Sequence, residues 1–555
     1  MTLQLTHVLE NTCQHQPEAI CATFGDESLS LTYRQACRSL AEHKVWLKQE
    51  ILTGNDVAIA YLANNSIDLI LSVLASSIVE FPCLLLNTRW SASDIGTAVS
   101  SPNTSAVTFL LYGTEFRERI PEIEKYMNHT LVSLPIPTFA LQRMESSTSN
   151  AIQRQRKQPP IVEQRALYSK YSRKDAVIVF TSGTSKGRAK GVRLSHQAIA
   201  IQCWAKCQLP CGYSQNTKML ASTVPFFHIG GISSLLAVWM AGGHVVLPRQ
   251  VGFDPESVWK FITPSMNDPT VARANTLVVV PAMLFMMQQH KTSITPNHAV
   301  QLILVGGQSI TESQKSFLHA AFPVARVVQT YACTEAASSL TFHSVNYDPF
   351  PAKTNAQQLS GDCVGSPPEH VDICLVDKDL WIEKNKISII KCPFSMGIIA
   401  TRGPHVMNGY WRRGVEEQKD RNPDQYFVTN DLAYWDKNGQ LFFAGRVNDS
   451  IRTGGETVLS SEVERVLQLH PLIDECAVFP VPDPKFGEAV ACAIVQSHGG
   501  VTLQKIREWC QENGLSDYKH PRHIMMMKQL PKNSSGKTLK YLLIEQFSSK
   551  PRSKL

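Results

Sequence analysis

Three stretches of the chain, AVIVF (Ala176–Phe180), TLVVV (Thr276–Val280) and QLILVGG (Gln301–Gly307), run almost unbroken in apolar residues over strand length. A strand with one wet face alternates apolar and polar side chains. Continuous apolar character instead requires cover on both faces, as in a parallel sheet packed between helices. The same texture opens the chain: DVAIAYL (Asp56–Leu62) reads as a strand, SIDLILSVLASSIVE (Ser66–Glu80) as a helix and FPCLLLN (Phe81–Asn87) as a strand again. This alternation predicts an α/β fold. At 555 residues the chain exceeds what one core supports, so at least two domains are expected. A polar stretch between Met144 and Lys174 reads as a loop or linker, and the texture changes near Arg446–Asp449. Beyond it come a helix (Ser460–Leu469), strands around Ala477–Val481 and Val490–Val495, and a basic tail. The expected layout is a large N-terminal α/β domain of layered sheets and helices at 1–446, followed by a small mobile α+β C-terminal domain at 447–555.

The net charge of +7 is modest for this length and the basic residues are scattered, which argues against nucleic acid as a partner. The excess weakly suits anionic ligands. Residues Met1–Thr12 lack a basic start followed by an apolar run, so the fourteen cysteines are expected as reduced, mostly structural thiols. Cys203, Cys207 and Cys211 fall at helical spacing, but Pro210 interrupts and no His or Cys pair completes a tetrahedral metal set. The longest apolar stretch, Ile229–Leu247, is broken by Gly242-Gly243-His244 and reads as a buried helix followed by a strand, with no membrane span. Ser553-Lys554-Leu555 reads as a peroxisomal address for an import receptor, kept solvated by Lys550 and Arg552.

Four clusters carry chemistry. In FTSGTSKGRAKGV (Phe180–Val192) a buried strand runs into a loop of small residues that closes on Lys190. Such residues let backbone amides converge on phosphate oxygens while the lysine supplies charge, although the Walker A spacing fails from Gly183. The second is Tyr331-Ala332-Cys333-Thr334-Glu335, where a hydroxyl beside a carboxylate can hold a phosphate with its Mg²⁺, or simply start a helix. The third joins Thr429-Asn430-Asp431 to Gly445-Arg446: the Asp can accept from ribose hydroxyls and the Arg can fork onto a phosphate, or the two can pair with each other. The fourth, Pro531–Thr538, ends in Gly536-Lys537-Thr538 and by itself reads as an exposed basic turn.

In this order and spacing the four clusters resemble the adenylate-forming superfamily of acyl- and aryl-CoA ligases, luciferases and peptide-synthetase adenylation domains. The resemblance covers nearly the whole chain, including SIRTGGETVLSSEVE (Ser450–Glu464) and HPLIDECAVFPVPDPKFGEAVACAIV (His470–Val495). It implies ATP and Mg²⁺ as cofactors and CoA as co-substrate. Thr181, Ser182, Gly183, Thr184, Ser185, Gly187 and Lys190 would hold the ATP phosphates; Thr334 would contact the α-phosphate and Glu335 the metal. Gly306, Gly307 and Gln308 would line the adenine pocket, Tyr331 belongs to the same nucleotide-binding set, and Asp431 and Arg446 would hold the ribose. Lys537 would bridge the carboxylate and α-phosphate during adenylation. Rotation of the small domain near Asn448–Asp449 would then bring Gly454, Gly455 and Glu456 to the site for thiol attack.

Within the superfamily, VPFFHIGGISSLLAVWMAGGHVVLPR (Val224–Arg249), CTEAASSLTF (Cys333–Phe342), GDCVGSPPEHV (Gly361–Val371) and RGPHVMNGYW (Arg402–Trp411) look like the o-succinylbenzoate–CoA ligases of naphthoquinone biosynthesis, in particular the plant type. His228 stands in the position of that family's gating histidine. Ser233 and Ser234 are candidates to meet a polar acyl group, with helix packing as the alternative, and His228 or Arg249 would offset a second carboxylate. The chain departs from the pattern by one extra residue in the phosphate loop, Ala189 for Pro, Ala332 and Asn430 for Gly, and Lys540 for Arg. The rival expectations are a 4-coumarate-like or medium-chain fatty acyl-CoA ligase and a catalytically silent nucleotide-binding relative.

Overall fold

The computed structural model describes residues 2–24, 29–51, 57–76, 83–99, 107–127, 130–146, 169–181, 189–250, 252–263, 274–290, 296–345, 361–411, 425–454, 456–496, 499–532 and 538–549. They form two compact units. The first comprises Met1–Tyr347, Pro367–Asp372 and Arg402–Gln425, and the second Asp348–Ser366, Ile373–Thr401 and Tyr426–Leu555. Residues 426–446, expected in the large domain, thus cluster with the second unit. The reason is pairing: the strands Phe427–Trp435 and Leu441–Arg446 belong to the sheet of that unit.

The continuous apolar runs are parallel strands. In the first unit an eight-stranded sheet holds six parallel strands, Arg326–Cys333, Leu302–Gly306, Thr276–Val279, Lys218–Leu220, His244–Leu247 and Ile20–Phe24 in spatial order. Antiparallel strands Ser338–Ser344 and Leu29–Thr32 close its two edges. A seven-stranded sheet holds five parallel strands, Asp175–Thr181, Cys83–Leu85, Val57–Leu62, Val107–Tyr112 and Leu131–Pro135. It is extended antiparallel by Lys190–Ser195 and Gly409–Trp411. Parallel strands align their carboxyl ends, so each sheet offers one edge at which loops can build a site.

Helices cover these sheets. Tyr33–Glu50 and Glu312–Ala321 each open with a capping box, Thr32 with Gln35 and Thr311 with Gln314, worth about 1 kcal/mol per cap. Behind the eight-stranded sheet Trp259 stacks on Phe322 at 5.5 Å and meets Phe317 edge-on. The predicted helix–strand pair is Ile229–Met240 and His244–Leu247, and Trp239 is wholly buried with its indole N–H on the Cys21 carbonyl, 3.1 Å. Among the described residues no helix is long and apolar enough to cross a membrane, no cluster could hold a metal ion and the cysteines are free thiols.

The second unit contains a six-stranded sheet and a smaller sheet in which the hairpin Glu475–Asp483/Gly487–Val495 pairs with His523–Met527 and Ser450–Thr453. Helix Ser460–Gln468 buries Val463, Val466 and Leu467, while its Glu464 pairs with Lys540 at 2.8 Å. Lysine at position 540 therefore makes an ion pair within this unit, as a common Arg there could.

Candidate active site

The two strands that flank the segment expected to hold phosphates, Asp175–Thr181 and Lys190–Ser195, pair antiparallel. Thr181 ends one strand and stands in register opposite Lys190, which begins the next. The loop residues Ser182, Gly183, Thr184, Ser185 and Gly187 lie outside the described residues. Strand Lys190–Ser195 pairs with Gly409–Trp411, and Gly191 is required there, because a Cβ would sit 2.9 Å from the Trp411 Cβ. This close approach brings Tyr410 beside these strands. The Lys190 ammonium lies 5.3 Å from the Tyr410 ring centroid, an ammonium–ring contact. The phenol donates to Glu335 Oε1 at 3.0 Å, and the Glu335 carbonyl accepts from the Met407 amide at 2.8 Å. Lys190 and Glu335, far apart in sequence, are joined through Tyr410.

Strand Arg326–Cys333 ends in a single 3₁₀ turn, Thr334–Ala336, followed by Ala337 at φ 54° and Ser338 at φ 146°. Non-glycine residues in such conformations cost of order 1–3 kcal/mol each and persist where neighbours over-determine them. Gln202 supplies the clamp: its buried amide donates to the carbonyls of Ala336 and Ser339, both at 2.9 Å. The neighbouring strand ends at Gly306, in register with Thr330, and Gly307 takes φ 87°. A Cβ on Gly306 would press on the Thr330 side chain at 3.1 Å. Gly306, Gly307 and Gln308 thus emerge at the same sheet edge as Tyr331, Thr334 and Glu335.

His228 follows the strand Lys218–Leu220 across a loop organised by Asn65. The Asn65 side chain donates to the Ala221 and Val224 carbonyls (2.7 and 3.0 Å) and accepts from the Phe226 amide (2.7 Å). Gly231 lets the loop turn into helix Ile229–Met240, since a Cβ there would meet the Pro225 carbonyl oxygen at 2.4 Å. The imidazole packs on Phe227 at 4.6 Å, and burial, with the Arg89 charge second, pushes its pKa down to about 4. It is neutral at pH 7.

Ser233 and Ser234 are buried in that helix. The Ser233 hydroxyl is engaged by Lys206 at 2.7 Å and by Ser338 at 3.2 Å, so it faces a side-chain network as well as the helix core. Arg249 is exposed, with its guanidinium 5.9 Å from the Phe24 ring. It leaves a strand three positions from Leu302–Gly306, about 14 Å across the sheet. For the expectation that His228 or Arg249 offsets a second carboxylate, the structure gives His228 a buried, apolar setting that holds it neutral at pH 7 and leaves Arg249 exposed, just beyond the end of a strand that pairs with Lys218–Leu220.

In the second unit Asp431 and Arg446 are register partners on adjacent strands, with Nε 3.1 Å from Oδ1. The Asp431 side chain is nearly buried and the arginine one-third exposed. Thr429 fixes the approach by accepting from the Asp431 amide at 3.1 Å while donating to the Ile399 carbonyl. Gly454 has φ 59° and Glu456 begins the next strand. Gly455, Lys537 and the tail Ser553–Leu555 lie outside the described residues. An isolated antiparallel bridge joins Lys532 to Thr538, on either side of the segment that contains Lys537.

Four residues were not singled out from sequence: Tyr410, Gln202, Lys206 and Asn65. Tyr410 stood in a motif without a role. Gln202 and Lys206 had a signal, as long polar residues within the mostly apolar run after Gln197 in helix HQAIAIQCWAKC.

A nucleotide-type site at the carboxyl edge of α/β sheets, followed by a small α+β region, is the pattern of an adenylating enzyme. The chain belongs to the AMP-binding enzyme family, whose model matches residues 9–411, and the model of the AMP-binding enzyme C-terminal domain matches residues 462–537. More specifically, it is 33% identical over 413 residues, 69% of each chain, to the chloroplastic/peroxisomal 2-succinylbenzoate–CoA ligase of Arabidopsis thaliana. It is 30% identical over 381 residues, 68% of each chain, to the oxalate–CoA ligase of the same plant. The fold matches that of o-succinylbenzoate CoA synthetase from Bacillus subtilis in complex with its acyl-adenylate intermediate, with TM-score 0.74, 22% identity and complete coverage of both chains.

Proposed function

We propose that the protein is an ATP-dependent acid–thiol ligase that converts o-succinylbenzoate and CoA to o-succinylbenzoyl-CoA, AMP and diphosphate, in naphthoquinone (phylloquinone) biosynthesis. The observation that carries the ligase reading is the Lys190–Tyr410–Glu335 cluster beside the clamped Thr334 turn, in a chain of the AMP-binding enzyme family. The 33% identical plant relative supports the acid.

In the first half-reaction a carboxylate oxygen attacks the α-phosphorus and diphosphate leaves with the electron pair of the broken P–O bond. In the second, the CoA sulfur attacks the acyl carbon and AMP leaves. Both partners of the first step are anions, so fixed cations and donors must offset their repulsion in a water-poor site. Thr181 and Lys190 flank the loop assigned to the phosphates, Thr334 is assigned to the α-phosphate, and Asp431 with Arg446 to the ribose. Glu335 fits a Mg²⁺ ligand: Tyr410 holds one carboxylate oxygen, and among the described residues no cation pairs with the carboxylate. When bound, the ion supplies positive charge to the phosphate oxygens. Lys537 serves adenylation, and Gly454, Gly455 and Glu456 the thiol step. We retain domains of 1–446 and 447–555 for this alternation, supported by family-model bounds that end at 411 and resume at 462.

The test is acid- and CoA-dependent AMP release, with kcat/KM compared over o-succinylbenzoate, benzoate, 4-coumarate and octanoate. Octanoate or 4-coumarate ahead by about tenfold would replace the substrate and leave the ligase intact. No AMP release with any acid would favour a silent nucleotide-binding relative. We further propose peroxisomal import through Ser553-Lys554-Leu555, for which the plant relative's peroxisomal designation gives support. A fluorescent fusion lacking these residues is expected in the cytosol, and unchanged peroxisomal fluorescence would overturn the address.

A further inference from the structure

Helix His196–Cys207 is buried over nearly its whole length and yet carries a lysine. Lys206 is 1% exposed. Its ammonium donates to Ser233 Oγ at 2.7 Å and to Ser338 Oγ at 2.9 Å, which uses two of its three N–H donors. The Ser233 hydroxyl in turn donates to Ser338 Oγ at 3.2 Å. Ser338 is therefore an acceptor twice over and keeps its own proton to give. Among the described residues two donors, the third ammonium N–H and the Ser338 O–H, have no acceptor.

Among the described residues no carboxylate pairs with this ammonium. The titratable groups that act on it are the thiols of Cys203, Cys207 and Cys211, which burial keeps protonated. Burial likewise draws the Lys206 pKa down. A buried ammonium without an anion is costly, and an apolar side chain of similar volume would be at least as stable. The position is also suggestive. Ser233 lies on the helix that begins after His228, and Ser338 follows Thr334 by four residues, so its Cα is within about 14 Å of the Thr334 Cα.

We propose that Lys206 and Ser338 form the subsite for the second carboxylate of the acid, the one that is not activated. This rests on the reading of the substrate as o-succinylbenzoate, whose ring carboxylate needs a partner once it is out of water. His228 is neutral there, and Arg89, whose charge reaches His228, is exposed, as is Arg249. The lysine's four-carbon stem and the two serine rotors give the donors freedom to reorient toward an entering carboxylate.

The experiment compares o-succinylbenzoate with 3-benzoylpropionate, which differs only in lacking the ring carboxylate, in the full-length wild type, Lys206→Met and Ser338→Ala. The readout is the ratio of kcat/KM for the diacid to that for the monoacid. Lys206→Met is expected to lower this ratio about a hundredfold, chiefly through KM for the diacid, and Ser338→Ala several-fold. A ratio unchanged in Lys206→Met would overturn the subsite, whatever the absolute rates, because a general structural defect moves both acids together. If Lys206→Met does not fold, Lys206→Gln, which can still donate to both serines, carries the same comparison. A wild type that prefers the monoacid would instead overturn the substrate reading, and the two failures are distinguishable.

Discussion

Replacing Tyr410 by Phe removes one oxygen and keeps the ring under the Lys190 ammonium. What is lost is a 3.0 Å hydrogen bond from the phenol to the Glu335 carboxylate. Hydrogen bonds to a charged group contribute about 1.5–3 kcal/mol, and both side chains here are only partly buried, so about 1–2 kcal/mol is the appropriate range. If Glu335 is the metal ligand, this loss appears where the carboxylate must be oriented. Adenylation should fall roughly tenfold, and the Mg²⁺ concentration for half-maximal rate should rise, with the KM for the acid little changed. The assay is single-turnover formation of acyl-adenylate at varied Mg²⁺. The decisive comparison is a double-mutant cycle with Glu335→Gln. Tyr410→Phe should have little further effect in that background, because the partner it orients is already impaired. Additive losses, or a Tyr410→Phe enzyme within about twofold of wild type, would refute the coupling of tyrosine, carboxylate and metal.

Lys537→Ala is expected to slow adenylation by about a hundredfold or more while thioester formation from pre-made acyl-adenylate largely survives; equal losses in both half-reactions would contradict domain alternation. Asn65→Ala deletes three hydrogen bonds that shape the loop ahead of His228, and should lower unfolding free energy by about 2–3 kcal/mol, read from urea midpoints, with acid KM raised. Burial pushes the pKa of His196 and His228 down to about 4 and that of His405 to about 3. Each binds a proton more readily unfolded than folded, so stability is full above pH 6.5 and is lost as pH falls toward the folded values. His196 alone accounts for about 3 kcal/mol of that loss, and its Nδ1 accepts from the Leu5 amide only while unprotonated. Urea midpoints from pH 7.5 to 4.5 check this, and a flat profile over pH 6.5–4.5 would contradict the buried neutral state.

The layered α/β fold was legible because uninterrupted apolar runs have few other uses in a chain of ordinary composition. The residues proposed for the nucleotide site, Lys190, Thr334, Glu335, Asp431 and Arg446, were picked out through family-like motifs that keep them at readable spacings. The tertiary structure decided what those motifs share. Tyr410 comes between Lys190 and Glu335 only because Gly191 admits Trp411 closely enough for their strands to pair. The partner of a second carboxylate illustrates the limit. By sequence, His228 and Arg249 were the cations nearest the expected acid pocket. Folding withdraws charge from the first by burial and leaves the second in solvent, while a lysine from another helix is carried into the interior between Ser233 and Ser338. Charge and protonation depend on what surrounds a side chain in three dimensions. A one-dimensional pattern can supply the ionisable group, but its dielectric and its neighbours exist only after the chain has packed.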